Sequence, residues 1–273
     1  MHWQKITERT DCVSVGESMI GIYHLPGNDV VLIDAGAVES PEFVAELRER
    51  GLRVRAILCT HLHFDHISTA GLIYKEYNMP SYASHLEHKE PIFPTREFPV
   101  TPLYDAAPIV IEGERFEVLP TPGHTKGHLA FVTPDGVCCV GDTFISEKPL
   151  AQAKIPYMID VEQSIASMEL IRATDYNAYL LSHDAVIVGR EELSALIDAN
   201  IDKELELYEM IKRFVTEPMP VEDMITAFMK HCGIRSNFIL NDHGYRDTVK
   251  SRVISLDYAG ELRLEGQWVM PVK

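Results

Sequence analysis

Val54-Arg55-Ala56-Ile57-Leu58-Cys59-Thr60-His61-Leu62-His63-Phe64-Asp65-His66 joins a short apolar run to a burst of polar side chains. Val54 to Thr60 has the composition of a strand. Four potential metal ligands, His61, His63, Asp65 and His66, then fall within six residues. On an extended or tightly turned backbone, His61 and His63 can aim their imidazoles at one point, and Asp65 and His66 can face a second point nearby. Imidazole and carboxylate together suit zinc, with iron or manganese also compatible. A surface loop or a helix cap holds one or two such residues by chance. Four in this register point to a metal site.

Working outward, the chain repeats the same device. Strand-like runs at 12–15, 19–23 and 30–33 precede it, the third ending in Asp34-Ala35-Gly36. Ser40-Pro41 opens a predicted helix to about Arg50, and another is predicted over 66–77. Residues 90–108 carry Pro91, Pro94, Pro99, Pro102 and Pro108, which predicts an ordered loop without regular structure, either a surface connection or a pocket wall. Strands are predicted at 109–111, 116–119, 129–132, 137–140 and 179–181, with a helix over 161–173. Three of these strands end in His124, Asp142 and His183. Collected at one sheet edge, His61, His63 and His124 form a three-imidazole set. Asp65, His66 and His183 form a second, and Asp142 can bridge the two. Three protein ligands per metal leave room for water, the pattern of catalytic rather than structural zinc. Two divalent metal ions so held would supply a hydroxide nucleophile at neutral pH without a serine or cysteine. Asp65 is assigned a catalytic role besides its place in the second set.

From Arg190 the character changes. A long amphipathic helix to Phe214, a second over 221–231, a third over 245–258 and a hairpin around Glu265-Gly266 follow, an order with the shape of a winged helix. The predicted boundary therefore separates a catalytic domain, 1–190, from a small helical, winged-helix-like domain, 191–273. From Arg190 on, the tail holds 11 basic and 15 acidic residues, and the whole chain carries a formal charge of -16. Both argue against a nucleic-acid partner, since phosphate binding needs clustered Lys and Arg. Packing beside the active site, or a homodimer contact, is the expected role of the tail. No apolar run approaches a membrane span, and the N-terminus lacks the apolar core of a signal peptide. The odd number of cysteines, in strand-like contexts, fits buried free thiols in the cytoplasm.

The motifs Thr60-His61-Leu62-His63-Phe64-Asp65-His66, Gly123-His124-Thr125, Gly141-Asp142-Thr143 and Ser182-His183 resemble, in order and spacing, those of the metallo-β-lactamase-fold hydrolases. Leu32-Ile33-Asp34-Ala35-Gly36 matches that family's first motif, whose Asp is structural rather than a ligand. The resemblance covers about residues 10–190. It implies an α+β fold, a four-layer αβ/βα sandwich, with a dimetal site at the sheet edge. Gly123 to His128 followed by Gly141-Asp142-Thr143-Phe144 resembles glyoxalase II and related thioesterases, although that family's basic C-terminal glutathione-binding residues have no match. Asp142 is unlike the residue of true β-lactamases, and His63 replaces the Glu of flavodiiron proteins.

The expected activity is metal-dependent hydrolysis of a small ester-like substrate, a thioester or a lactone, by a metal-bridging hydroxide. Alternatives are a phosphodiesterase or endoribonuclease using the same site, a mononuclear iron persulfide dioxygenase, and a non-enzymatic binding module. Among other residues, His128 is expected to orient His124 or Asp142. Lys148, Lys154 and Tyr157 are candidates to meet a substrate anion. His85 and His88 are expected on a solvated helix face, and Asp242 to Tyr245 in a surface turn.

Overall fold

The structure is a computed structural model of the 273-residue chain; it describes residues 1–87, 98–234 and 239–272, with only the backbone of 239–243. The first half builds one sheet. Strands β1 (Trp3–Lys5), β2 (Thr10–Val15), β3 (Ser18–His24) and β4 (Asp29–Ile33) pair in sequence order. Helix α1 (Pro41–Glu49) starts as predicted: Ser40 accepts the Phe43 N–H, and Pro41 fills the first turn. Strand β5 (Arg53–Leu58) then delivers the histidine cluster.

The helix predicted over 66–77 is two helices, α2 (Phe64–Ile67) and α3 (Ala70–Tyr77). The Ser68 and Thr69 N–H groups bond to the carbonyls of Gly36 and Ala35. This pins the chain to the turn after β4 and interrupts the helical ladder. Strands β6 (Ser81–Ser84) and β7 (Val100–Leu103) complete seven strands in the order β1 to β7. β7 lies inside the segment predicted to lack regular structure. It is the edge strand, where Pro102 can face outward without breaking a ladder bond. The first part of that proline-rich segment, to residue 97, lies outside the described residues.

The second sheet holds β8 (Ile109–Ile111), β9 (Glu114–Pro120), β10 (Leu129–Val132) and β11 (Val137–Gly141). After α4 (Glu147–Gln152) and α5 (Val161–Arg172), β12 (Ala178–Leu181) and β13 (Ala185–Ile187) close it in the order β13-β12-β11-β10-β9-β8. Both sheets are buried on both faces, and alternation sorts their side chains between layers. In β4, Val30 and Leu32 pack under α1 and α3, while Val31 and Ile33 face the second sheet. In β11, Val137 and Cys139 face the first sheet, while Cys138 and Val140 pack under α5. The result is helix, sheet, sheet, helix: the four-layer α+β sandwich.

Helix α6 (Arg190–Phe214) caps the second sheet with Leu193 and Ile197, then runs on to a separate core. That core is built with α7 (Val221–His231), α8 (Ile239–Tyr258) and a small sheet. β14 (Met219–Pro220) joins the predicted hairpin, β15 (Leu262–Glu265) and β16 (Trp268–Pro271), in the order β14-β16-β15. Asp242 to Tyr245 belong to α8, not to a turn before it. Among the described residues, no helix is long and apolar enough to cross a membrane.

Candidate active site

The site forms where the two sheets meet at the C-terminal ends of β4, β5, β9, β11 and β12. The Leu129 N–H donates to the Thr60 carbonyl at 2.9 Å, tying the sheets at this edge. Asp34 follows β4 in a left-handed conformation, φ 63°, rare for a residue with a side chain. It thereby turns its carboxylate onto the β5 loop. It accepts the Thr60 N–H at 2.8 Å, the Thr60 hydroxyl at 2.9 Å and the His66 Nδ1–H at 2.9 Å.

Two histidines of the first set are held by their far sides. The Thr60 hydroxyl proton goes to Asp34, so Thr60 Oγ1 accepts from His61 Nδ1 at 3.1 Å. His124 Nδ1 donates to the Tyr157 carbonyl at 3.1 Å. Both rings therefore turn a bare Nε2 lone pair inward, and both face His63 Nδ1, at 2.9 and 3.0 Å. Burial first, then the neighbouring His66 and His63, hold His61 well below the usual imidazole range; burial also holds His124 low. Burial lowers His63 to about 4. Two bare lone pairs meet at one His63 nitrogen, which carries at most one proton, and a cation resolves the conflict.

The second set gathers Asp65, His66, Asp142 and His183, and within each set the ligand atoms lie within 4.8 Å of one another. His183 Nδ1 donates to the Glu17 carbonyl at 2.9 Å, which aims Nε2 at Asp142 Oδ1, 3.5 Å away. Asp142 Oδ2 is 3.4 Å from His124 Nε2 of the first set and 3.4 Å from His66 Nε2 of the second. Burial opposes a charge on His66, but Asp142 and Asp34 outweigh it and hold its pKa well above the usual range. Asp142 in turn is held low, because His66 and His124 outweigh its burial. His66 Nε2 and Asp142 Oδ1 are buried with no hydrogen-bond partner among the described residues. Orphaned polar atoms of this kind, next to carboxylate and imidazole donors, fit a divalent metal.

All seven predicted ligands thus come together. His128 holds Asp142 rather than His124: its Nδ1 meets the Thr121 hydroxyl at 2.8 Å, and its Nε2 accepts the Asp142 N–H at 3.0 Å. Of the three residues expected to meet an anion, only Tyr157 lines the site. Lys148 faces a different cavity, beside Glu147 and Glu192. His85 lies in a turn and bonds the Leu103 carbonyl at 3.1 Å, and His88 is outside the described residues.

One residue escaped the sequence reading. Glu87, 2 % exposed, accepts the Leu62 N–H at 3.1 Å, the Thr125 hydroxyl at 2.5 Å and the Gly127 N–H at 3.0 Å. It clamps the first histidine loop to the second. A lone Glu between His85 and His88 carries no local signal of that role. A cavity of about 290 Å³ opens over the two sets, walled by Phe64, Phe144, Ile145, Tyr157, Met158 and Tyr245.

A four-layer αβ/βα sandwich with paired His/Asp sets at one sheet edge defines a class, the metallo-hydrolases of this fold. Residues 15–183 match the family model of the metallo-beta-lactamase superfamily, and the chain belongs to that superfamily. It is 30% identical over 220 residues to a hydroxyacylglutathione hydrolase of Aliivibrio salmonicida, covering 78% of this chain and 82% of that one. A hydroxyacylglutathione hydrolase of Buchnera aphidicola is 27% identical over 221 residues, covering 78% and 83%. A metallo-beta-lactamase family protein of Thermus thermophilus shares the fold, with a TM-score of 0.71 at 17% identity over 96% of this chain and 97% of that one.

Proposed function

We propose that the protein is a dinuclear metallohydrolase that cleaves a small thioester or lactone. The observation that carries this reading is the position of Asp142, 3.4 Å from one inward nitrogen of each set. His61, His63 and His124 would hold one metal; Asp65, His66 and His183 would hold the other, with Asp142 shared. Two divalent ions so held, zinc by the donor set, would supply a hydroxide nucleophile at neutral pH and a Lewis acid for the scissile carbonyl.

The chain's own residues do the rest. Thr60, Tyr157, Asp34 and Glu17 fix the ring nitrogens that face inward. Asp65 lines the cavity, and in this reading it would hold the proton released by the nucleophile. Phe144, Ile145 and Met158 offer apolar contact to the part of the substrate beside the carbonyl. The relatives named as hydroxyacylglutathione hydrolases favour a thioester. The same reading treats 1–190 as the catalytic domain of a cytoplasmic enzyme and 191–273 as an accessory, winged-helix-like domain that packs beside the active site or forms a homodimer contact.

The test is a substrate panel with metal analysis of the same sample. Hydrolysis of thioesters or lactones with two metals per chain is expected. Turnover of RNA or phosphodiesters instead, or one iron with oxygen uptake, would overturn the assignment.

A further inference from the structure

Helix α8 meets the candidate active site along one stripe. Gly244, Thr248, Ser251 and Arg252 fall at helical spacing, and each touches the segment 156–161. The Arg252 Nη2 donates to the Pro156 carbonyl at 3.2 Å. Thr248 Oγ1 accepts the Met158 N–H at 3.2 Å, and Ser251 Oγ accepts the Val161 N–H at 3.3 Å. Between the first two contacts stands Tyr157, whose ring edge packs against the bare backbone of Gly244: a Cβ there would lie 2.9 Å from Tyr157 Cε2. Arg252 is itself fully buried, donates to the Thr248 carbonyl at 2.9 Å, and is ion-paired with fully buried Glu204 of α6.

Tyr157 matters because of what it touches on its other side. Its carbonyl accepts from His124 Nδ1, and its ring lies edge-on to His124 and His63, with centroids 5.0 and 5.4 Å away. Packing alone would need only apolar contact between α8 and this segment. Here donors and acceptors bracket one residue instead, and one of them rests on a buried ion pair. Such a pair is costly to desolvate and is a poor source of stability.

We propose that α8 is a positioning element of the three-histidine set. Arg252, locked by Glu204, and Thr248 hold Pro156 and Met158 so that the Tyr157 carbonyl keeps the proton on His124 Nδ1 and turns Nε2 inward. The tail would then act through His124 on the site, without touching the reacting atoms. This rests on the reading of His61, His63 and His124 as metal ligands.

The experiment measures metal binding, with no substrate, in the full-length chain. Zinc stoichiometry and affinity come from competition with a chromophoric chelator, and the cobalt-substituted protein gives a visible spectrum. Two variants are compared with wild type and with His124→Ala. Thr248→Val leaves the Met158 N–H unpaired at nearly constant volume. The double variant Glu204→Leu, Arg252→Met replaces the buried pair with apolar side chains of similar size, and Thr248→Val alone carries the test if the double variant does not fold. The expected result is a folded protein in which one metal equivalent weakens by about 10–100-fold. The other equivalent is unchanged, and the cobalt spectrum alters as it does in His124→Ala. Folded variants holding both equivalents at wild-type affinity would overturn the proposal. A wild-type protein whose metal binding is indifferent to His124→Ala would instead sink the metal-site reading beneath it.

Discussion

Asp34 shows how one residue can organise a site that it does not enter. Its left-handed backbone places a buried carboxylate where it receives Thr60 and His66 together. Asn tolerates the same backbone conformation, so Asp34→Asn should fold. Its amide nitrogen would oppose one of those donors, and the His66 ring would lose its charged partner. Metal affinity should fall about 10–100-fold, read by chelator competition, with little change in the far-UV spectrum. Unchanged affinity would show that Asp34 is only a turn residue. The candidate ligands were legible in the sequence because histidine and aspartate at strand ends, at close spacing, have few other uses. Glu87 was not, because a carboxylate that accepts backbone N–H groups from two distant loops acquires its meaning only when those loops meet.

At the scale of elements, the loop from Pro120 to Leu129 depends on Gly123. Its φ is 134°, and a Cβ there would stand 2.4 Å from the Ser164 backbone nitrogen and 2.5 Å from its Cα. The Gly123 carbonyl also accepts the Ile159 and Asp160 N–H groups, at 2.9 and 3.1 Å. Gly123→Ala must therefore move α5 away from the loop that presents His124. A loss of more than about 2 kcal/mol is expected from strain and overlap together, measured by chemical unfolding of the metal-free protein. A loss below about 0.5 kcal/mol would contradict the close approach. The long elements were legible, since α1, α5, α6 and α7 follow helical spacing, and α1 and α5 start at capping side chains, Ser40 and Asp160. The short strands β6, β7 and β13 were not. Three or four residues carry little periodicity, and their pairing is decided by neighbours far away in sequence.

For the molecule as a whole, the buried histidines set opposing dependences on pH. In the metal-free protein, burial holds His61 and His124 low, His63 at about 4 and His128 at about 3. Below the ordinary value of 6.5 the unfolded chain gains protons that these groups refuse, so their contribution falls as pH drops from 6.5 toward 3. His66 and His183 run the other way, because Asp142 outweighs burial and raises His183 to about 9. Their contribution is complete below 6.5 and is lost as pH rises toward 9. The melting temperature of chelator-treated protein should therefore peak near pH 6.5 and decline on both sides. A steady rise from about pH 5 to 9 would contradict the charge arrangement. The four layers were foreseeable from the resemblance of the motifs. The grip of α8 on Tyr157 was not, because Thr248 and Arg252 read in sequence as an ordinary helix and Gly244 as part of a surface turn.

In the proposed reading, Asp142 joins two metal sites into one hydrolytic centre. The most direct measurement is metal content and thioester or lactone hydrolysis, taken on the same samples of wild type and Asp142→Ala, before and after chelation. Wild type is expected to carry two metals per chain, with activity that vanishes on chelation and returns with metal. Asp142→Ala is expected to fold, with activity lower by about 10²–10³-fold, the scale of removing a principal electrostatic group. Hydrolysis that survives chelation, or an Asp142→Ala protein with full activity, would contradict this reading.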